Sequence, residues 1–248
     1  MKRAMPYKVL LPKGYNADRT TKYPVIYLLH GLWGHYDDWA TRTKLAEYAR
    51  PYNFIIVMPE GGDSWYSDGA EKWESYISRE LLPEVETRFR TINDREHRVI
   101  AGLSMGGYAA IKYGLRNPER YALVGSFSGA LEASDYTGAN AKAKGIATSI
   151  GKTVDAVFGP ENSEIRRNNN IFAMLRAVPD VSAKNLPFIY ESCGTEDPFV
   201  AGDRIFMGVL IDKKIPHEYR ELPGVHGWTF WDDQIREFLA VADRKINH

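Results

Sequence analysis

Ser104 stands in Ala101-Gly102-Leu103-Ser104-Met105-Gly106-Gly107, directly after the apolar run Arg98-Val99-Ile100-Ala101. A Gly-X-Ser-X-Gly stretch between a strand and a helix can make a tight turn, because glycine leaves room where a Cβ would clash with neighbouring backbone. Such a turn holds the serine hydroxyl up into solvent. A hydroxyl is a poor nucleophile at neutral pH, so Ser104 needs a base, and the base needs a third group to fix its tautomer. Two later segments offer these. The run 188–191 exits into Ser192-Cys193-Gly194-Thr195-Glu196-Asp197-Pro198, an acid-bearing loop. The run 217–222 exits into Pro223-Gly224-Val225-His226-Gly227-Trp228, a glycine-flanked histidine before the last helix. The order Ser104, Asp197, His226, each at the carboxyl end of a predicted strand, is far more specific than the pentapeptide alone, whose bland alternative is a glycine-rich packing turn.

Acyl transfer also needs donors for the developing oxyanion. The Met105 N–H, at a helix N-terminus, is one candidate. The Leu32 N–H, in the turn Leu29-His30-Gly31-Leu32-Trp33-Gly34, is the other. Trp33, Trp65 and Trp228 are candidate substrate-binding walls, with Tyr66 beside them; their alternative is burial as core aromatics or packing under a lid.

Other polar residues have competing roles. Glu196 is the serious rival of Asp197, and Glu191 and Asp203 are further carboxylates whose usual place is the solvated surface. Ser126 and Ser128 follow an apolar strand without the elbow's spacing and read as structural or pocket-lining. His30 reads as support for the oxyanion loop. His35, His97, His217 and His248 have no acid partner at a suitable offset and are expected to be mostly exposed. Cys193 reads as a small buried apolar side chain.

The elements that must position these residues follow an α/β pattern. Strands are predicted over 7–11, 25–29, 54–58, 98–101, 123–126, 188–191 and 217–222, several continuously apolar as buried parallel strands should be. Helices are predicted over 37–48, 72–89, 105–116, 202–213 and 228–244. Residues 131–185 break the alternation with polar, Gly-rich and Asn-rich stretches; only 171–178 reads as a helix there, and the segment is expected to be a lid-like excursion over the sheet. No repeat or linker divides the chain, so residues 1–248 are expected to form one domain.

Composition narrows the partners. Lys+Arg and Asp+Glu each number 32, a formal net charge of zero, which argues against nucleic acid or an anionic membrane and for a small-molecule substrate. One cysteine excludes an intrachain disulfide framework and a multi-cysteine metal site. No window is apolar enough to span a membrane. A soluble chain is expected, with the compartment open between the cytoplasm and, if a leader has been removed, a secreted or periplasmic location; oligomeric state is not legible.

Leu28-Leu29-His30-Gly31 with Asp38-Trp39, Met58-Pro59-Glu60-Gly61-Gly62 with Ser64-Trp65-Tyr66, the Ser104 stretch through Tyr108, Cys193-Gly194-Thr195-Glu196-Asp197-Pro198 and Pro223-Gly224-Val225-His226-Gly227-Trp228 together resemble the esterase D family. That family includes carboxylesterases, feruloyl and acetyl-xylan esterases, S-formylglutathione hydrolases and mycolyltransferases. The resemblance runs over about 7–239. It implies an α/β-hydrolase fold with a mostly parallel central sheet and helices on both faces. It also implies Ser104, Asp197 and His226 as catalytic residues, with Asp197 favoured over Glu196, and the Leu32 and Met105 amides as oxyanion hole. Neither metal nor organic cofactor is expected. The sequence departs from the family at Gly227, where many relatives carry an acid, and at Leu32-Trp33-Gly34, where a Gly-Gly pair is usual.

The expected activity is hydrolysis of short-chain or aromatic carboxylic esters of uncharged alcohols through an acyl-enzyme. The alternatives are an S-formylglutathione-type thioesterase, an acyltransferase, or a catalytically silent binding protein on the same fold. Arg166 or Arg167, folding over the cleft, would be the cation that a glutathione-like substrate needs.

Overall fold

In the computed structural model, which describes residue 1 and residues 3–246, the apolar runs become a seven-stranded sheet. Its strands are β1 (Tyr7–Leu10), β2 (Val25–Leu29), β3 (Ile55–Pro59), β4 (Arg98–Leu103), β5 (Leu123–Phe127), β6 (Phe188–Gly194) and β7 (His217–Leu222), in the order β1-β3-β2-β4-β5-β6-β7. Every neighbouring pair is parallel except β1 with β3. The helices are α1 (Asp38–Arg42), α2 (Leu45–Tyr48), α3 (Trp73–Ser75), α4 (Leu82–Arg88), α5 (Met105–Arg116), α6 (Thr148–Phe158), α7 (Glu164–Asn168), α8 (Ile171–Ala177), α9 (Val200–Asp212) and α10 (Trp228–Ile246).

Strands β2 to β5 are buried along their whole length because helices cover both faces. The two-residue period of a strand splits the core in two. Val25, Tyr27 and Leu29 point to the face packed with Ile111, Leu175 and Phe206. Ile26 and Leu28 point to the face packed with Trp39, Ile235 and Phe238. On that second face Gly125 is required by close approach: a Cβ there would lie 2.5 Å from the Phe238 ring. Strand β7 differs, since it forms a sheet edge, is only partly buried, and carries Glu218, Arg220 and Glu221, charges that blunt edge pairing.

Three helical expectations change. The single helix expected over 37–48 is two, because the Lys44 N–H is drawn away to Asp232 Oδ1 of α10 at 2.7 Å while Thr43 is extended. The helix expected over 72–89 contains a π-helical stretch, Tyr76–Leu81, immediately ahead of Pro83, which has no N–H to return to the preceding turn. The excursion over 131–185 is far more helical than expected: α6 and α7 join α8. In α6 the apolar Ile150, Val154 and Phe158 recur at helical spacing, a signal diluted in the sequence by Gly151 and by β-branched threonines.

Candidate active site

The turn at Ser104 is as tight as its glycines imply. A Cβ on Gly102 would lie 2.5 Å from the Gly106 carbonyl carbon, and one on Gly106 would lie 2.6 Å from the His30 oxygen. Ser104 itself holds φ 53 and ψ −113, a strained conformation for a residue with a side chain. It is not held out into solvent as the sequence suggested. Ser104 is only 9% exposed, at the floor of a cleft of about 340 Å³.

The three candidate residues meet there. His226 Nε2 lies 3.0 Å from Ser104 Oγ, and His226 Nδ1 lies 2.8 Å from Asp197 Oδ2. An ionised Asp197 can only accept, so Nδ1 carries the proton and Nε2 is free to accept from the serine hydroxyl. The other Asp197 oxygen accepts the Phe199 N–H at 2.9 Å, which fixes the carboxylate from the far side. Glu196 points elsewhere: it accepts the Gly224 N–H at 2.7 Å, and that bond holds its carboxyl below the usual range.

Both candidate oxyanion donors are available. Among the described residues neither the Leu32 nor the Met105 N–H donates to a protein acceptor. Met105 opens α5, whose dipole adds partial positive charge at the same point. The turn that carries Leu32 is held by its neighbours. His30 is 1% exposed; its Nδ1–H donates to the Gly31 oxygen at 2.7 Å and its Nε2 accepts the Gly61 N–H at 2.9 Å. The Trp33 N–H donates to Asp63 Oδ1 at 2.7 Å. The loops after β2 and β3 are thereby tied together.

Trp33, Trp65 and Trp228 all line the cleft. Trp33 is 57% exposed at its mouth, whereas Trp65 is buried and donates its Nε1–H to Thr153 Oγ1 of α6 at 3.1 Å. Ile150 of α6 also lines the cleft, so the excursion supplies part of its wall. Trp33 and Trp65 hold φ 60 and 53, so two cleft residues besides Ser104 sit in the left-handed region. Tyr66 does not line the cleft: it is fully buried, and its hydroxyl accepts the His30 N–H at 3.0 Å.

Several polar residues are not where the sequence suggested. Arg166 does not fold over the cleft. It is buried, and its guanidinium donates to the carbonyls of Ser134, Tyr136, Gly159 and Pro160 and pairs with Asp155. Arg167 donates to the Asn162 carbonyl. Glu191 and Asp203, expected at the surface, are fully buried. His35 and His97 do have acid partners, Glu60 at 3.3 Å and Asp94 at 2.6 Å, but neither histidine borders the cleft. His217 bonds through Nδ1 with the Ile215 oxygen, and His248 lies outside the described residues. Ser126 and Ser128 are buried away from the cleft, and Cys193 is buried, its thiol pushed upward by desolvation.

Besides Ile150, sequence reasoning missed Phe199, Trp231 and Arg42 as cleft residues. Phe199 and Trp231 both pack at steep angles against the His226 ring, at centroid distances of 5.0 and 4.9 Å. Trp231 lies one helical turn beyond Trp228, which was the available signal. Arg42 brings a cation to the cleft wall, paired with Asp38 at 3.1 Å and lying over Trp228. No cluster of three or more His, Cys, Asp or Glu among the described residues is arranged to hold a metal ion.

A mostly parallel sheet with helices on both faces, and a serine, acid and histidine on the loops that follow β4, β6 and β7, define an α/β-hydrolase. The chain belongs to the esterase family described as "Putative esterase", whose profile matches residues 1–241. It is 31% identical over 213 residues to an acetyl esterase of Caldicellulosiruptor saccharolyticus, a match covering 85% of this chain and 79% of that one. Its structure is similar to a ferulic acid esterase, with TM-score 0.80, 25% identity and coverage of 97% and 92%. It is also similar to an S-formylglutathione hydrolase from Staphylococcus aureus, with TM-score 0.80, 24% identity and coverage of 96% and 92%; at that identity the likeness is one of fold. The protein is a carboxylic ester hydrolase. No helix among the described residues is long and apolar enough to cross a membrane.

Proposed function

We propose that the chain acts as one catalytic unit, a serine carboxylesterase that cleaves short-chain or aromatic esters, of acetyl or feruloyl type, through an acyl-enzyme. The observation that carries this is the relay of hydrogen bonds from Ser104 to His226 at 3.0 Å and from His226 to Asp197 at 2.8 Å, beside two unengaged N–H groups. His226 takes the Ser104 proton as the hydroxyl oxygen attacks the ester carbonyl, and the Leu32 and Met105 amides hold the resulting oxyanion. Asp197 keeps the imidazole in the productive tautomer and stabilises it once charged. His226 then gives its proton to the departing alcohol, and water repeats the cycle on the acyl-enzyme.

Trp33, Trp65 and Trp228 suit a flat or apolar acyl group. Arg42 favours a second reading, a thioesterase acting on S-formylglutathione, because it is a cation that a substrate carboxylate could pair with. Asp38 already engages it, which supports the uncharged alcohol instead. Labelling with a fluorophosphonate, read by intact mass, tests the nucleophile: one adduct on the wild type and none on Ser104→Ala is expected. Comparison of kcat/KM for p-nitrophenyl acetate, methyl ferulate and S-formylglutathione tests the substrate. A thioester preference of about tenfold, or about 1.4 kcal/mol of transition-state binding, would favour the second reading.

A further inference from the structure

The chemistry proposed for Ser104 uses one buried carboxylate, Asp197, yet two more lie behind it. Glu191 on β6 and Asp203 on α9 are each 0% exposed, and none of their four oxygens makes a hydrogen bond. Glu191 is the register partner of Ser126 on β5 and of Tyr219 on β7. Neighbours in a parallel pair project to the same face, so the Glu191 carboxyl lies beside the Ser126 hydroxyl, which is likewise buried and without a partner. The Gly129 amide faces it from above. The next residue in that loop touches the nucleophile's backbone, since the Ala130 N–H donates to the Ser104 oxygen at 3.2 Å.

The surroundings of the pair are acidic. Asp197 faces both from the loop after β6. Glu132, from the segment after β5, and Glu221, from β7, face Asp203; so do the Cys193 thiol and the Tyr136 and Tyr219 hydroxyls. Glu221 is itself held by Arg204 at the surface. No cation among the described residues meets Glu191 or Asp203. A carboxylate buried without a donor or a counter-ion is strongly disfavoured, and two near each other more so. Burial first, and the facing carboxylates after it, push both groups well above the ordinary carboxylate range. Ser126 and Gly129 pull Glu191 back only in part, and Cys193 does the same for Asp203.

We propose that Glu191 and Asp203 are positioning residues held as neutral carboxylic acids, Glu191 bracing the loop that touches Ser104, and that both leave Asp197 as the one buried anion that His226 meets. As acids, each supplies one O–H donor and keeps an acceptor oxygen, so Glu191 can satisfy Ser126 and the Gly129 amide without a counter-ion. Their neutrality has a catalytic consequence. His226 must release its proton to the leaving alcohol, and a second or third anion nearby would hold that proton on the ring.

That consequence rests on the Ser104 mechanism, but the protons can be read without turnover. Difference infrared spectra of wild type against Glu191→Gln and against Asp203→Asn, at neutral pH, are expected to show one protonated-carboxyl C=O band lost in each variant. Both variants copy the shape of the neutral acid, so each should keep kcat within about threefold of wild type. Glu191→Ala, which removes the brace, should lower kcat by about tenfold or more with KM little changed. Activity of the wild type should fall at alkaline pH as the acids ionise, and the Glu191→Gln/Asp203→Asn double variant should lose that fall. Absence of the C=O bands would overturn the proposal whatever Ser104 does. So would a drop of about tenfold in kcat for Glu191→Gln with native near-ultraviolet circular dichroism, because it would mean that the carboxylate works as an anion. Loss of all fluorophosphonate labelling in the wild type, with the bands present, would instead overturn the serine mechanism and leave the neutral acids standing.

Discussion

The cleft has two kinds of wall. One is made of strand-end loops that bond to one another: His30 reaches Gly61, Trp33 reaches Asp63, and Asp197 reaches His226. The other is the excursion over 131–185, whose α6 supplies Ile150 to the cleft and Thr153 to Trp65. In the first, direction comes from a sheet whose register leaves little freedom. In the second, much of the fastening falls to one buried guanidinium, Arg166, which gathers four carbonyls and Asp155. The sheet edge is thus suited to hold reacting atoms, and the excursion to shape what binds beside them.

Substitutions should separate the two walls by what they change. The largest effects belong to the sheet edge. Ser104→Ala should lower kcat on the order of 10⁶ with the fold retained. Asp197→Asn should cost about 10⁴ in kcat, while Glu196→Gln should leave steady-state rates nearly unchanged. Equal losses at positions 196 and 197 would break the distinction drawn from the geometry.

Arg166→Met should act on stability and binding instead. Leaving several buried carbonyls and Asp155 without their partner should cost about 3 kcal/mol in chemical denaturation. KM should rise more than kcat falls as α6 loosens. A variant with wild-type stability would show that the excursion is held by its apolar contacts alone.

Trp65→Phe sharpens the comparison at the contact between the two walls. It removes one hydrogen bond to α6, worth about 1 kcal/mol, and should raise KM by several-fold for aromatic esters with fluorophosphonate labelling of Ser104 unaffected.

A pH-dependent effect concerns Lys112, a fully buried cation on α5 that also joins the walls. It donates to the Tyr66 oxygen at 3.0 Å and lies 3.4 Å from Asn169 Oδ1 of the excursion. Burial lowers its pKa to about 8, against the pull of Glu74, whereas the unfolded chain keeps the ordinary lysine value of 10.5. Between those two values the unfolded state holds a proton that the folded state has released, so this group makes stability rise with pH across that window. Urea midpoints measured from pH 8 upward should reveal that rise in the wild type and a flatter profile in Lys112→Met.

Legibility followed the range of the interaction. The apolar runs of β2 to β5 and the glycines around Ser104 are local statements, and the strands fall where those runs put them. The histidine and the acid were legible for the same reason, since each closes a run that can only be a strand. Arg166 and Arg167 were misread because both lie in a polar stretch whose composition resembles a mobile surface, and because no local pattern reveals that carbonyls from Ser134 and Tyr136 converge on a guanidinium thirty residues away. Arg42 and Phe199 escaped because their closeness to Trp228 and His226 depends on how α1 and the start of α9 dock, not on spacing along the chain; Trp231, one turn beyond Trp228 on α10, was legible from its spacing but was not read.

The sequence by itself determined the α/β alternation, the tight turn at Ser104, and the order of the candidate serine, acid and histidine, because periodicity, glycine sterics and strand ends act over a few residues. Only the tertiary structure shows that Asp197 meets His226 while Glu196 turns to the Gly224 amide, because the His226 ring arrives from the loop after another strand. It also decided the burial of Glu191 and Asp203: a carboxylate's surroundings are set by what packs against it, and α9, which carries Asp203, docks on the sheet that carries Glu191 without bringing a cation to either.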